Sequence, residues 1–223
     1  MSQAIPLSPE YRFTFPPFFP RYCTTLLNRA IDSFHEKRLG IKTTGGAGSP
    51  HPDASHYGCL AYYTYYKIFD ALGLDKKDVV VDLGSGKGRP NFIAAQYPIK
   101  ESIGVEIDPP LHAVSVANCA TLREARAPVR FVCQSATDFN YDDTTVIIMF
   151  HPFGGETLNV VLARIEDSLK RKPREFRIVY GNPMLSPLIA AKPWMQLYDA
   201  WNPGTWSRVK FPVHFYRSTM PTS

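Results

Sequence analysis

Hydrophobic positions along this chain follow two rhythms. Short unbroken runs recur at Val79–Leu83, Ser102–Asp108, Val129–Cys133, Thr145–Phe150 and Phe176–Tyr180. Continuous apolar runs of this length predict parallel strands covered on both faces. Elsewhere apolar residues return every three or four positions, which predicts amphipathic helices. These are residues 21–38 (Leu26, Leu27, Ala30, Ile31, Phe34), a run from Ser55 to Leu72 closed by Gly73, Asn91–Gln96, a stretch after Pro109-Pro110, and 156–171. A short helix is expected after Gly181-Asn182-Pro183. The tail reads as two long antiparallel strands, Trp194–Trp201 and Arg208–Arg217, joined by Asn202-Pro203-Gly204-Thr205. Strands alternating with helices make an α/β fold with a mostly parallel sheet.

The flanks differ in character. Residues 1 to about 20 combine Phe13, Phe15, Phe18 and Phe19 with Pro16, Pro17 and Pro20. Proline blocks a regular helix there, and the phenylalanines gain by packing on something. An arm lying across the main domain is expected. Thr43 to Pro52 is loop. The helical run after it is dense in aromatics (Tyr57, Tyr62, Tyr63, Tyr65, Tyr66, Phe69), which helical spacing turns mostly towards the core. Tyr57, next to the glycine-rich Thr43–Pro52 loop, is the best placed to reach a ligand. A tyrosine cluster could also hold a cationic amine or sulfonium through cation–π attraction.

The most informative stretch is Val79-Val80-Val81-Asp82-Leu83-Gly84-Ser85-Gly86-Lys87-Gly88-Arg89-Pro90. A strand runs into a turn with glycine at every second position and then opens a helix. The glycines let the backbone bend tightly and leave room for a ligand's close approach. The first N–H groups of the helix have no partners within it, and Pro90 suits such a first turn. A dinucleotide fingerprint would need a glycine where Arg89 stands. A P-loop would need Ser or Thr after Lys87, where Gly88 stands. A glycine turn in an ordinary α/β domain is the bland alternative.

Composition narrows the class. With 223 residues, 44% apolar and 20% charged, the chain suits one globular domain with an appendage and excludes disorder. A net charge of +5 and a pI near 9.0 permit acidic partners. The basic residues are scattered, though. Their densest cluster, Lys170-Arg171-Lys172 with Arg174 and Arg177, reads as a solvated helix end or as an RNA contact. Cysteines at 23, 59, 119 and 133 have no metal or redox spacing, so neither a metal site nor disulfides are expected. The N-terminus carries no signal-peptide pattern and no stretch approaches a membrane span. A cytoplasmic protein is expected.

The run Asp82–Arg89, with Gly104-Val105-Glu106 and Phe150-His151-Pro152-Phe153-Gly154, resembles class I, Rossmann-like S-adenosylmethionine (SAM) methyltransferases. It is more narrowly similar to small ones carrying D-L-G-S-G-K-G-R, then G-V-E, then F-N-P-F-G. The likeness to non-SET histone-lysine methyltransferases rests on the D-L-G-S-G loop alone. The resemblance covers residues from about 57 to 217. It implies a seven-stranded sheet of order 3-2-1-4-5-7-6 with the last strand antiparallel. It also implies a SAM-dependent methyltransferase domain over 56–223, preceded by an aromatic arm and cap helix over 1–55.

Within that resemblance, Asp82 and the amides from Gly84 through Ser85 and Gly86 to Gly88 hold the amino-acid end of SAM. Glu106, near the ~20-residue spacing of a ribose-binding carboxylate, takes the ribose, with Ile107 beside it. Ser135 and Ala136 face the adenine, and Phe150 completes the cofactor set. Ser135 replaces an acid found in many relatives, so Asp138 or backbone would have to substitute. His151 replaces an asparagine that, in amino methyltransferases, holds the target nitrogen. At the mouth it acts as a general base or as a hydrogen-bonded residue shaping the loop; both readings stand. Pro152, Phe153, Tyr63 and Asn182 are the further substrate candidates, with Tyr57 beside His151 for catalysis. His112 and His214 are read as structural or solvent-facing. The expected activity is methyl transfer to N or O of a small-molecule acceptor, yielding S-adenosylhomocysteine. A macromolecular acceptor (protein lysine or RNA) and a non-catalytic SAM-binding protein are the alternatives. Oligomeric state is open.

Overall fold

The computed structural model describes residues 21–45, 58–203 and 211–222, of which 21–28 as backbone only. Its elements run α1 (Arg21–Leu39), α2 (Tyr62–Leu72), β1 (Val79–Leu83), α3 (Arg89–Ala94), β2 (Glu101–Glu106), α4 (Pro109–Thr121) and β3 (Val129–Cys133). They continue with β4 (Val146–Phe150), α5 (Gly155–Arg171), β5 (Arg177–Gly181), α6 (Ser186–Ala190), β6 (Met195–Trp201) and β7 (Val213–Ser218). One seven-stranded sheet has the order β3-β2-β1-β4-β5-β7-β6. Strand β1 lies at its heart, with Val81 opposite Ile103 on one side and Ile147 on the other, both parallel. β7 runs antiparallel to β5, with Val179 opposite Phe215.

The two-residue period of a strand divides the core cleanly. Val79, Val81, Leu83, Ile147 and Met149 pack towards α5, against Leu158, Val161, Leu162, Ile165 and Leu169. Val80, Val146 and Ile148 face the other way, against Ile68 and Phe69 of α2 and Phe92 and Ile93 of α3. Leu39 and Ile41, at and just past the end of α1, join that second core. Burial on both faces is why β1, β4 and β5 read as unbroken apolar runs, whereas Val129–Cys133, expected to be covered likewise, is the edge strand β3 and stays half-buried to exposed.

Three boundaries depart from the sequence reading. Among the described residues, α2 begins at Tyr62, and Ala61 before it is extended (φ −63°, ψ 152°). The approach is held out of the helix by its polar partners. Arg89 Nη1 donates to the Leu60 carbonyl at 3.1 Å, and the Leu60 N–H donates to the Tyr65 hydroxyl at 3.3 Å. Second, Asp108 is no strand end: β2 stops at Glu106, and the Asp108 carboxylate caps α4 by accepting from the Leu111 N–H at 3.0 Å. Third, the described part of the last strand starts at Val213, and residues 204–210 of the expected Arg208–Arg217 strand lie outside the described residues.

Candidate functional site at the carboxyl edge of the sheet

Parallel strands deliver the carboxyl ends of β1, β2, β4 and β5 to one edge, where open α/β sheets bind ligands. The turn after β1 is tied to β2: the N–H groups of Gly84 and Ser85 both donate to the Val105 carbonyl, at 2.9 and 3.1 Å. Gly84 and Gly88 sit at φ +71° and +85°, a region that disfavours other residues. A Cβ on Gly84 would fall 2.5 Å from Pro152 Cβ, so the His151-Pro152 segment rests directly on the glycine turn.

Two carboxylates flank this turn. Glu106, 6% exposed, accepts from the Gly86 N–H on Oε2 at 2.6 Å and from the Asp108 N–H on Oε1 at 2.9 Å. Each oxygen keeps further lone pairs. Asp82, 4% exposed, has no side-chain hydrogen bond to any described residue. Burial, and then the neighbouring Glu106, hold its carboxyl well above the usual carboxylate range. The Ser85 hydroxyl is buried without a partner among the described residues. Unsatisfied polar groups of this kind call for explanation. A ligand ammonium at Asp82 and hydroxyls at Glu106 would supply one.

A second set of residues, not anticipated from the sequence, joins this turn to α1. Arg89, 3% exposed, donates from Nη1 to Asp32 Oδ2 at 2.9 Å and from Nε to Thr43 Oγ1 at 2.9 Å. Its guanidinium lies 4.4 Å from the centre of the Tyr62 ring and 3.8 Å from Glu36 Oε1. Glu36 in turn accepts from the N–H groups of Thr43 and Thr44, both at 2.6 Å. Lys87 donates to the carbonyls of Thr44 and Gly45 at 3.1 and 2.9 Å. Acids spaced one helical turn apart, Asp32 and Glu36, were the available signal. Their partner on the glycine turn could not be read without the fold.

The mouth is formed by the ends of β4 and β5. Phe150 closes β4, and its ring meets Phe211 edge-on at 5.1 Å between centroids. The absent side chain of Gly181 makes room for it: a Cβ there would fall 2.8 Å from Phe150 Cδ2. His151 follows in the left-handed region (φ +43°), with Nδ1 2.9 Å from the Tyr180 hydroxyl. Phe153 packs on the α5-side core. Asn182, also left-handed (φ +51°), donates its N–H to the Pro212 carbonyl at 2.9 Å.

The other expected site residues are distributed as follows. Ile107 follows Glu106 and is half-buried. Ser135 and Ala136 form the exit of β3. The Ser135 hydroxyl pairs with Thr137 Oγ1 at 2.8 Å, and the Ala136 carbonyl accepts from the Tyr141 hydroxyl at 2.7 Å. Asp138 is exposed beside them. Tyr63 has the Lys67 ammonium 5.6 Å over its ring. Its neighbours Tyr62 and Tyr65 are the tyrosines that reach Arg89 and Leu60. Tyr57 and residues 1–20 lie outside the described residues.

The basic cluster is engaged far from this edge. Lys170 pairs with Glu166 at 2.8 Å, Arg171 with Asp142 at 2.7 Å, Lys172 with Asp143, and Arg177 with Asp78 at 2.7 Å. Arg174 donates to the carbonyls of Tyr141 and Thr144, each at 2.6 Å. These cations thus serve the amino edge of the sheet. Among the described residues, no group of three or more His, Cys, Asp or Glu side chains could hold a metal ion, and no helix is long and apolar enough to cross a membrane.

A sheet of this order, with a glycine turn after β1 and an acid closing β2, is the fold of the class I SAM-dependent methyltransferases. Residues 52–128 match the family described as "Histone methylation protein DOT1". That span contains the glycine turn, Glu106 and the Asp108 cap. An RNA methyltransferase from Salinibacter ruber, solved with S-adenosyl-L-homocysteine, is similar at 16% identity. The likeness covers 74% of this chain and 98% of that one with a TM-score of 0.52. A protein from Pyrococcus horikoshii assigned as an RNA methyltransferase is similar at 16% identity over 86% and 99%, with a TM-score of 0.58. A ribosomal protein L11 methylase from Lactobacillus delbrueckii is similar at 12% identity over 74% and 81%, with a TM-score of 0.52. At these identities the likeness is one of fold. No curated protein matches the chain in sequence.

Proposed function

We propose that this protein is a SAM-dependent methyltransferase whose acceptor is a nitrogen of a macromolecule, and first of all a protein amine. The observation that carries the reading is the pair Asp82 and Glu106, closing adjacent strands on either side of a glycine turn. One carboxyl is buried without a hydrogen-bond partner among the described residues, and the other is anchored by two backbone N–H groups. Bound there, SAM supplies a methyl group already activated by its sulfonium, leaving S-adenosylhomocysteine once the acceptor's lone pair has taken it. The chain's own share is then binding and alignment, the effects that holding two reactants in line provides. Asp82 offers a negative partner for the amino group, Glu106 receives the ribose hydroxyls, and the amides of Gly84 to Gly88 meet the carboxylate.

One feature favours a protein over the small-molecule acceptor expected from the sequence, and a second favours a protein over RNA. The sequence match is to a histone methylation family, and it spans Asp82, the glycine turn and Glu106. In addition, the described residues that form the mouth (Leu60, Phe150 to Phe153, Asn182, Phe211 and Pro212) include no lysine or arginine, whereas a nucleic-acid backbone is held chiefly by such cations. In this reading α1 is the cap over the cofactor. The test is calorimetric titration with SAM, S-adenosylhomocysteine and NAD, followed by transfer of labelled methyl from SAM to histone, total protein and RNA fractions. Micromolar binding of the first two ligands and label in protein are expected. Failure to bind either would refute the cofactor assignment, and label in RNA alone would refute the acceptor.

A further inference from the structure

His151 holds the place where a base or an orienting group would act, and its surroundings decide between them. Its Nδ1 is 2.9 Å from the Tyr180 hydroxyl. That hydroxyl also faces the Leu185 N–H at 3.4 Å, and an N–H can only donate. Tyr180 is 1% exposed, so its own O–H proton needs an acceptor within the protein. Among the described residues the partners of this hydroxyl are the Leu185 amide and His151 Nδ1, and of the two only Nδ1 can accept. A neutral imidazole that accepts on Nδ1 carries its proton on Nε2. Burial keeps Tyr180 protonated, its hydroxyl pushed up to about 12.

We propose that Tyr180 fixes His151 as a hydrogen-bond donor through Nε2–H, which engages a carbonyl oxygen of the protein acceptor beside the nucleophile. Donation to the nucleophile itself would occupy the lone pair that must attack. The partner is therefore a second atom of the acceptor, a carbonyl oxygen that the fold of the bound acceptor brings next to its amine. His151 then orients the acceptor and removes no proton from it. An ammonium acceptor sheds its proton to solvent. The left-handed backbone at His151 agrees with this role. Asparagine is among the residues most tolerant of φ > 0, and its carboxamide N–H₂ is likewise a donor. The titratable groups on the elements around His151, at their ends towards it, are Tyr180 on β5, His214 opposite Tyr180 on β7, and Glu156 in the first turn of α5; Tyr216 lies two residues further along β7.

This inference rests on the methyltransferase reading for its substrate, but not for its first test. On the full chain labelled with ¹⁵N-histidine, the His151 resonances are assigned by their loss in His151→Asn. At neutral pH they should show Nε2 protonated and Nδ1 bare and hydrogen-bonded, with the Nδ1 shift moving to an unbonded value in Tyr180→Phe. A proton on Nδ1, or no response to Tyr180→Phe, would overturn the proposal whether or not the protein transfers methyl groups. With an active acceptor in hand, His151→Asn should keep activity within about tenfold of the parent, while His151→Ala loses more than about tenfold. The parent's kcat/KM should show no inflection in the imidazole range. A neutral-pH limb abolished by His151→Ala, or His151→Asn as inactive as His151→Ala, would identify a base and end the argument.

Discussion

Arg89 Nη1 and Asp32 Oδ2 stand 2.9 Å apart across 57 residues of sequence, joining the turn after β1 to the helix that precedes the sheet. The guanidinium is 3% exposed and the carboxylate 15%. Breaking a buried pair by removing one partner leaves an uncompensated charge, which typically destabilises by about 3–5 kcal/mol. Arg89→Met should therefore lower unfolding free energy by about 3 kcal/mol. It strands Asp32 and Glu36 together and also empties the ring face of Tyr62. Asp32→Asn should be milder, near 1 kcal/mol, because Glu36 remains close to the guanidinium. Urea denaturation of both variants measures this. An Arg89→Met protein as stable as the parent would show that α1 does not depend on the pin.

Asp82, proposed to hold the cofactor's amino group, is a residue held against stability. Its carboxyl is raised above the ordinary range by burial and by Glu106. The unfolded chain therefore ionises first, near pH 4, while the folded protein still holds its proton. Stability from this group is fully present below that pH and declines as pH rises towards the folded value. Asp82→Asn removes the loss. At pH 7 the ligand-free variant should melt higher than the parent, with the difference vanishing near pH 3.5. The same substitution should abolish the rise in melting temperature given by S-adenosylhomocysteine. In the parent, binding draws the proton off Asp82, so affinity should strengthen as pH rises towards the raised folded value of this carboxyl. Thermal melts across pH, with and without ligand, test both halves.

The contrast between Asp82 and Arg89 shows what the chain discloses by itself. Asp82, the glycine turn and Glu106 were legible because local rules fix them. A buried strand must be apolar, a tight turn needs glycine, and an acid ending such a strand has an environment implied by its position. The sheet order followed from the resemblance those residues carry. Arg89 was legible only as an obstacle to a dinucleotide, because its partners Asp32, Glu36 and Thr43 are brought to it by packing over long sequence distances. The start of α2 escaped for the same reason. Helical periodicity runs through Leu60, but a carbonyl claimed by Arg89 and an N–H turned to Tyr65 hold the chain extended there.

Glu106 is tied to two fixed donors, which makes glutamine a poor substitute. The carboxylate presents an oxygen to each of the Gly86 and Asp108 N–H groups. A carboxamide would set its own N–H₂ against one of them. A buried donor left unsatisfied costs about 1–3 kcal/mol. Glu106→Gln should accordingly weaken S-adenosylhomocysteine binding nearly as much as Glu106→Ala, each by about 1–3 kcal/mol. Calorimetry that finds glutamine equal to the parent would mean that neither the ribose nor the Gly86 amide relies on the charge.

Gly104 lies in β2, opposite Asp82 of β1 and Phe131 of β3, and its lack of a side chain has a steric rather than a conformational origin. A Cβ there would collide with the Phe131 ring and fall 2.7 Å from Ser85 Oγ. The same ring fills the space above Gly88, where a Cβ would lie 2.5 Å from Phe131 Cζ. One aromatic side chain therefore packs over the turn because two glycines make way for it. Gly104→Ala should destabilise by about 1–3 kcal/mol, the usual range for overpacking, and should weaken ligand binding by pushing Ser85 out of place. Phe131→Leu alone should cost about 1 kcal/mol for the lost ring. Combined, the two changes should be less damaging than their sum, because the smaller side chain vacates the volume the methyl needs. A double-mutant cycle by chemical denaturation reads that coupling directly. Strict additivity would mean that Phe131 is not what keeps position 104 a glycine, and the Ser85 contact would then have to account for the whole penalty.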